Sequence, residues 1–251
     1  MKAKAVRGKE FVDNRNERGF NELRGYFIDE GGFLSSMDQP AEVSVLEQGP
    51  LFVKVAVKGK IGKYSFTQTI RLTQGEPRID MSVKLDWIGI PRIGEPGIEF
   101  RADNPRKSFY DDRYKLLVYL PIQIANQQIY KDAPFDVCES RLENTFFNRW
   151  DSIKHNIILN WVDVASKDNS CGLSLFTDHT TSYAHGKDFP LALNVQYAGK
   201  GLWGRDYIID RPTEISYALI PMPELGRKAV FGHKANDAMS LWSQPWTAML
   251  P

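Results

Sequence analysis

Apolar and polar residues alternate in three consecutive runs between residues 51 and 87. A period of two places one side of a strand against a core and the other side in water. Short turn sequences at 59–63 and 74–77 separate the runs. The pattern predicts an antiparallel meander, and its predicted inward side chains are Leu51, Val53, Val55, Ile70, Met81, Val83, Leu85 and Trp87.

Gln68 interrupts this pattern, because it stands on the apolar side of the second run. The alternation resumes in phase at Ile70, whereas a β-bulge would shift it by one residue. We therefore favour a buried, hydrogen-bonded amide over a bulge at Gln68.

Further strands are predicted at 115–120, 156–164, 173–176, 191–195 and 215–220, after an irregular connection rich in proline and glycine at 89–112. One helical pattern is visible, with Phe231, Ala235, Ala238 and Trp242 on one face. Many short strands with little helix are typical of an all-β fold. We predict an antiparallel β-sandwich that forms a single domain over residues 1–251.

Composition and charge exclude several classes of protein. Apolar residues make up 42% and charged residues 25% of the chain, as in soluble globular proteins. The 32 basic and 31 acidic side chains show no basic stripe, so no nucleic-acid partner is expected. No apolar run is long enough to span a membrane, and the opening MKAKAVRGKE lacks the apolar stretch of a signal peptide. A cytoplasmic location is the default expectation. Cys138 and Cys171 are far apart and lack zinc-site spacing, which predicts two buried free thiols.

The histidines give no clear metal site. A catalytic zinc needs three converging protein ligands. In an extended strand, His179 and His185 would lie about 20 Å apart at ~3.3 Å per residue, although a turn could bring them together. We expect hydrogen-bonded histidines without a metal, and His155 and His233 add no ligand pattern.

Paired carboxylates are the second candidate for chemistry. Glycosidases use two carboxyl groups, about 5–5.5 Å apart in retaining enzymes and ~6.5–9.5 Å apart in inverting ones. Asp136 with Glu139, and Asp151 with Asp163, are the pairs that the sequence offers. No motif marks either pair as a hydrolytic dyad, so solvated or salt-bridged carboxylates are expected.

The triplet Arg149-Trp150-Asp151 is the best candidate for a contact with carbohydrate. The face of a tryptophan can stack on a pyranose while Arg and Asp bind its hydroxyls. The alternative is a buried Trp150 with Arg149 paired to Asp151 or Asp163.

Trp203 lies in a glycine-rich loop, 199–206, which lacks the residue order of a phosphate-binding loop. It is a second candidate for a carbohydrate contact.

The stretch from Ile129 to Gly186 carries a resemblance to a known family. It reads IYKDAPFDVCESRLENTFFNRWDSIKHNIILNWVDVASKDNSCGLSLFTDHTTSYAHG and resembles the β-rich C-terminal region of glycoside hydrolase family 38, the zinc-dependent α-mannosidases. The passages GKEFVDNRNERGFNELRGYFIDEGGFLSS and HKANDAMSLWSQPWTAMLP resemble the same region. The resemblance implies a supersandwich similar to that of galactose mutarotase.

It also implies that the zinc ligands and the acidic nucleophile lie on a separate N-terminal α/β barrel. On this interpretation the chain holds no catalytic residue and no cofactor, and zinc belongs to the missing N-terminal domain. The expected partners are that barrel, with Arg149 and Asp151 at the interface, and a mannose-containing glycan. The chain would be a fragment of a longer α-mannosidase-like protein, or a partner chain would complete its sheets.

Two other functions remain open. An enzyme similar to mutarotases and epimerases would need a histidine near a carboxylate, for which His179 or His185 with Glu214 are the nearest candidates. A carbohydrate-binding module would use Trp150 or Trp203 without chemistry. Unpaired sheet edges and exposed indoles, with Trp203, Trp242 and Trp246 as the candidates, would favour a homo-oligomer.

Overall fold

The computed structural model describes residues 10–96, 111–134, 136–140, 157–168, 170–186, 188–200 and 206–222. Within these ranges the secondary structure is almost entirely β, with one short 3-10 turn at Asp112–Tyr114. The strands are β1 (Glu22–Phe27), β2 (Gly32–Ser35), β3 (Glu42–Gln48), β4 (Phe52–Ile61), β5 (Tyr64–Thr73), β6 (Ile79–Asp86), β7 (Leu116–Leu120), β8 (Gln127–Ala133), β9 (Asp136–Ser140), β10 (Ile157–Ile158), β11 (Trp161–Ser166), β12 (Gly172–Thr177), β13 (Thr181–Gly186), β14 (Phe189–Gln196), β15 (Gly199–Lys200), β16 (Asp206–Tyr207) and β17 (Thr213–Met222).

Two antiparallel sheets contain nearly all of these strands. The larger sheet has nine strands in the order β3-β4-β5-β6-β17-β12-β11-β8-β9. The smaller has six, in the order β10-β13-β14-β7-β1-β2, and β15 pairs with β16 as a separate ribbon. β17 is inserted between β6 and β12, so it joins the strands of the N-terminal half to those of the C-terminal half. The predicted antiparallel β-sandwich is confirmed.

The main core is made of large side chains that alternate along the strands of both sheets. Tyr64 and Phe27 stack with their ring centroids 5.4 Å apart, and both are fully buried. Of the side chains predicted to point inward, Met81, Val83 and Leu85 are buried, whereas Val53, Val55, Ile70 and Trp87 are half-buried. The prediction for Leu51 is wrong, because this residue precedes β4 in the turn after β3 and is 70% exposed.

Gln68 is a buried amide, as predicted. Its side chain is only 4% exposed, and its Nε2 donates a hydrogen bond to the carbonyl oxygen of Asn21 at 2.9 Å. β5 keeps an unbroken register with both neighbouring strands at this point, so no bulge is needed to explain the residue.

The turn between β4 and β5 is tighter than the sequence pattern predicts. Ile61 pairs with Tyr64, which leaves Gly62 and Lys63 as a two-residue turn. Gly62 adopts a φ of 59°, a conformation that glycine reaches without strain and that suits a hairpin turn of this length. Gly59 and Lys60, assigned to the turn in the sequence pattern, extend β4 instead.

The predicted strands 115–120, 173–176, 191–195 and 215–220 agree with the structure to within a few residues. The prediction of one strand over 156–164 is wrong, because this segment divides into β10 of the smaller sheet and β11 of the larger one. The sequence pattern missed β1, β2, β3, β8, β13, β15 and β16. Cys138 and Cys171 are free thiols, the first half-buried and the second buried. The predicted helical pattern at 231–242 lies outside the described residues, as do Trp203, Trp242 and Trp246.

β3, the end strand of the larger sheet among the described residues, carries exposed aliphatic side chains. Every residue of β3 except Ser44 is exposed. Val43, Val45 and Leu46, which we call the aliphatic edge, are each between 48% and 63% exposed. Across the described ranges we find no helix with the length and apolar character needed to cross a membrane.

Candidate functional site

An open cleft of about 1250 Å³ lies against the six-stranded sheet. Its walls come from β1, β2, β7, β13 and β14, from the segment that precedes β1 and from the segment that follows β7. The lining includes arginine, asparagine, glutamine and acidic side chains together with the rings of Phe33, Tyr114, Tyr119 and Phe189. The cleft therefore combines apolar faces with hydrogen-bond donors.

The floor of the cleft follows from the sequence of β7, LLVYL, which is apolar on both sides. Leu116, Val118 and Leu120 face the main core. Leu117 and Tyr119 point to the other side of the sheet, where they pack with Ala184 and Ala192 of the neighbouring strands. The two small alanines leave room for an aromatic pair between Tyr119 and Phe189, with ring centroids 5.5 Å apart.

A cluster of three rings closes one end of the cleft. The ring of Phe33 packs edge-on against Tyr26 at 5.2 Å and stacks with Tyr114 at 5.5 Å. Phe33 and Tyr114 line the cleft, and Phe33 is 38% exposed. Part of the Phe33 residue is thus exposed to the cleft, with Tyr114 stacked on its ring.

The guanidinium groups along the cleft differ in how their charge is compensated. Arg113 forms a two-pronged ion pair with the fully buried Asp111, with N–O distances of 2.9 and 2.6 Å. Arg15 lies 3.0 Å from Asp13 and, by donating to it, lowers the pKa of that carboxyl. Arg24 lies instead over the ring of Phe33, 4.8 Å from its centroid, and forms no ion pair with any described residue.

His185 holds two walls of the cleft together. Its Nδ1 donates to the carbonyl oxygen of Phe189 at 2.8 Å, and its Nε2 lies 2.6 Å from Oε1 of Gln127. Gln127 in turn donates from its Nε2 to the carbonyl oxygen of Ile124 at 3.0 Å. Burial lowers the pKa of His185 to about 4, although its oxygen neighbours favour the charged ring. Both of its nitrogens already face oxygen atoms of the cleft wall, so the ring is engaged by the wall itself.

His185 lies apart from His179 and Glu214, whereas His179 follows Asp178, whose Oδ2 accepts a hydrogen bond from the backbone amide of Ser216 on the strand that also carries Glu214. His179 lies in the connection before β13, with its Nδ1 2.5 Å from Oδ1 of Asp178, whereas His185 lies at the far end of β13. Glu214 belongs to the larger sheet, where it is exposed and pairs with Lys84 of β6. Of these three candidates, only His185 lines the cleft.

Several of the sequence candidates cannot be placed. Arg149, Trp150, Asp151 and Trp203 lie outside the described residues, as do His155 and His233. Of the candidate carboxylates, Glu139 is exposed on β9. In the part of the chain that the structure describes, no group of three or more His, Cys, Asp or Glu side chains could hold a metal ion.

Asp163, a member of the second candidate pair, is fully buried on β11. Neither of its carboxylate oxygens accepts a hydrogen bond from a described residue. Burial raises the pKa of Asp163 to about 7. The Ser174 side chain, on the paired strand, lies near enough to lower the pKa of Asp163 slightly but not in hydrogen-bonding geometry. The negative charge of Asp132 raises the pKa further. At neutral pH this carboxyl is therefore only partly ionised.

The residues that define the cleft were missed by sequence reasoning, apart from His185. Arg24 and Phe33 come from the first hairpin, whereas Tyr119 belongs to β7 and Phe189 to β14, much later in the chain. No local motif joins them, because antiparallel pairing of β1 with β7 brings them together. The available signal was the second apolar face of β7, which indicates that the outer side of the sheet is also covered at this point.

The comparisons with known proteins give a family. The profile of the glycosyl hydrolases family 38 C-terminal domain matches residues 26–194, well over half of the chain. A solved structure described as an aldose 1-epimerase from Klebsiella pneumoniae is similar, with 9% sequence identity and a TM-score of 0.40. The similarity covers 84% of this chain, and the chain spans 59% of the length of that structure. No curated protein matches the chain significantly. On the strength of the profile match, the chain belongs to the family of glycosyl hydrolases family 38 C-terminal domains.

Proposed function

We propose that the chain is the non-catalytic, carbohydrate-contacting β-sandwich of an α-mannosidase-like glycoside hydrolase. The zinc-dependent chemistry then resides in an N-terminal α/β barrel of the parent protein, against which this sandwich packs. The observation that carries the proposal is the cleft, most of whose lining lies within the matched region 26–194.

The cleft has the two kinds of surface that a pyranose needs. A sugar ring presents C–H groups on its faces and hydroxyl groups around its rim, so aromatic rings and polar side chains are suited to bind it together. Phe33 offers a partly exposed ring, and the Arg24 guanidinium lies over it. Gln123 and Asn126 add amide groups to the lining of the cleft.

Binding of neutral mannosides tests the carbohydrate-contacting role. We expect methyl α-mannoside and α-linked mannobiose to bind to the isolated chain with millimolar affinity in ligand-observed NMR titrations. Phe33→Ala should weaken this binding about tenfold, because loss of an aromatic platform costs ~1.5 kcal/mol. Phe52→Ala is the matched control, since Phe52 is half-buried on β4 and does not line the cleft. Equal affinity of wild type and Phe33→Ala would contradict the proposed contact.

Activity measurements test the non-catalytic role separately. The isolated chain should hydrolyse no chromogenic α-mannoside, either with added zinc or with a chelator. Turnover that disappears with the chelator and returns with zinc would show that this chain carries chemistry of its own.

A further inference from the structure

Arg24 is a half-buried positive charge without a carboxylate partner in the described structure. Its guanidinium packs on the ring of Phe33, whereas Arg15 and Arg113 of the same cleft are each paired with an aspartate. A guanidinium that has lost part of its water gains most from a bound oxyanion, which its planar fork can grip with two hydrogen bonds. Of the four arginines that line the cleft, Arg24 is therefore the one without a carboxylate at ion-pair distance among the described residues.

Tyr119 supplies a neutral donor next to this charge. Arg24 lies opposite Leu117 in the pairing of β1 with β7, which makes Tyr119 its diagonal neighbour on the same side of the sheet. Burial raises the pKa of Tyr119 to about 12, while the positive charges of Arg18 and Arg24 oppose the rise. The phenol therefore stays protonated at neutral pH, and two guanidinium groups lie close enough to act on its hydroxyl.

The nearby carboxylates do not neutralise the positive charge of Arg18 and Arg24. Glu22 is buried, with Oε1 accepting from the Ser35 hydroxyl at 2.6 Å and Oε2 accepting from the Gly19 amide at 2.8 Å. Glu17 approaches Arg18 only to 3.9 Å, and its side chain is 89% exposed, so that ion pair is weak. The two guanidinium groups therefore outweigh the one fixed carboxylate.

We infer that Arg18, Arg24 and the Tyr119 hydroxyl form an anion subsite in the cleft, so that the saccharide it takes carries a carboxylate, phosphate or sulfate group. The saccharide part of this inference rests on the proposed function. The anion-binding part does not depend on it. Phe33 would contact the sugar ring, and the neighbouring Arg24 would bind the charged substituent.

Titrations with matched neutral and charged probes test the subsite. The probes are methyl α-mannoside, mannose 6-phosphate, glucose, glucuronate and inorganic phosphate, each at low salt and at 0.3 M NaCl. We expect one of the charged sugars to bind about tenfold more tightly than its neutral analogue at low salt, and less so at high salt. Whether mannose 6-phosphate or glucuronate shows the preference identifies the charged group.

Variants of two similar arginines separate a charge effect at the subsite from a general one. Arg24→Gln should abolish the preference for the charged sugar, whereas Arg24→Lys should keep part of it because the charge remains. Arg71→Gln is the control, since the Arg71 guanidinium lies 4.2 Å from the ring of Phe52 on the other sheet. It should keep the full preference. An unchanged thermal midpoint of Arg24→Gln verifies that the variant is folded.

The possible results distinguish the subsite from the proposed function. If neutral mannosides bind and charged sugars bind no more tightly, or if Arg24→Gln keeps the preference, the anion subsite is wrong and the carbohydrate-contacting role stands. If inorganic phosphate binds in an Arg24-dependent manner while no neutral sugar binds, the subsite stands and the proposed function fails. If no probe binds to the wild-type chain, both are wrong.

Discussion

Asp163 illustrates how one buried side chain makes stability depend on pH. Burial raises its pKa from 3.8 to about 7, so the folded protein holds a proton that the unfolded chain releases near pH 4. A raised pKa of this kind stabilises the fold fully below the unfolded value, and the stabilisation is lost as pH rises through the folded value. Between pH 4 and 7, Asp163 therefore makes the protein progressively less stable.

Asp163→Asn should remove this effect, because asparagine has the same shape and never ionises. We expect the variant to be more stable than wild type by about 2–4 kcal/mol at pH 8, and similar to it near pH 4. Urea denaturation of both proteins at the two pH values measures the difference. A variant that is no more stable than wild type at pH 8 would show that Asp163 is compensated in the folded state.

Asp132 provides the contrasting control on the neighbouring strand. Its two carboxylate oxygens accept hydrogen bonds from the backbone amides of Leu159 and Asn160, at 3.0 and 2.7 Å. An asparagine at this position could accept only one of them, so Asp132→Asn should destabilise the protein at pH 8.

At the scale of elements, the contact between β1 and β7 depends on a glycine. A Cβ atom added to Gly25 would lie 2.9 Å from Cα of Leu116 and 3.2 Å from the carbonyl oxygen of Lys115. These are backbone atoms, which cannot move aside as the end of a flexible side chain can. Gly25 thus allows the close approach of the two strands that build the cleft floor.

Gly25→Ala should therefore destabilise the protein by about 1–3 kcal/mol, as overpacking does in a well-packed region. Gly32→Ala on β2 is the control, because a Cβ atom there would meet no other atom within 4 Å. Thermal unfolding of both variants against wild type measures the difference. Equal losses of stability at the two positions would rule out a special role for the contact with Leu116.

The sequence pattern predicted those strands in which apolar and polar residues alternate because only one face of the strand is buried. It failed for strands that lack this alternation. The runs that form β4, β5 and β6 were recognised because one of their faces enters the core. β3 is exposed on both faces, so its sequence EVSVLEQ lacks a clear apolar side. β1 carries Arg24 beside a core leucine, Leu23, and its outer face belongs to the cleft, so its pattern reflects the site as well as the core. The cleft itself could not be predicted, because it depends on pairing between strands that are distant in sequence.

At the scale of the whole molecule, the aliphatic edge is the surface that favours self-association. Exposed strands with apolar side chains offer unpaired backbone groups and apolar area to another chain. We expect light scattering of the isolated chain to rise with concentration, and the double substitution Val43→Lys and Val45→Lys to reduce that rise. Lys54→Gln on the neighbouring strand changes charge without touching these valines and is the control. A wild-type chain that stays monomeric at high concentration would contradict this expectation.

The position of β17 has a consequence for how the chain folds during synthesis. The meander of β4, β5 and β6 can form as soon as it leaves the ribosome, and the pairs of β8 with β11 and β11 with β12 can form later as a second unit. Residues 213–222 must emerge before β17 can join β6 to β12. Until then each half of the sheet carries an open edge, and pairing over such sequence distances is slow. Misassembly of the larger sheet is therefore expected to begin at these two open edges, and pairing of β17 with β6 and β12 is the step that closes them.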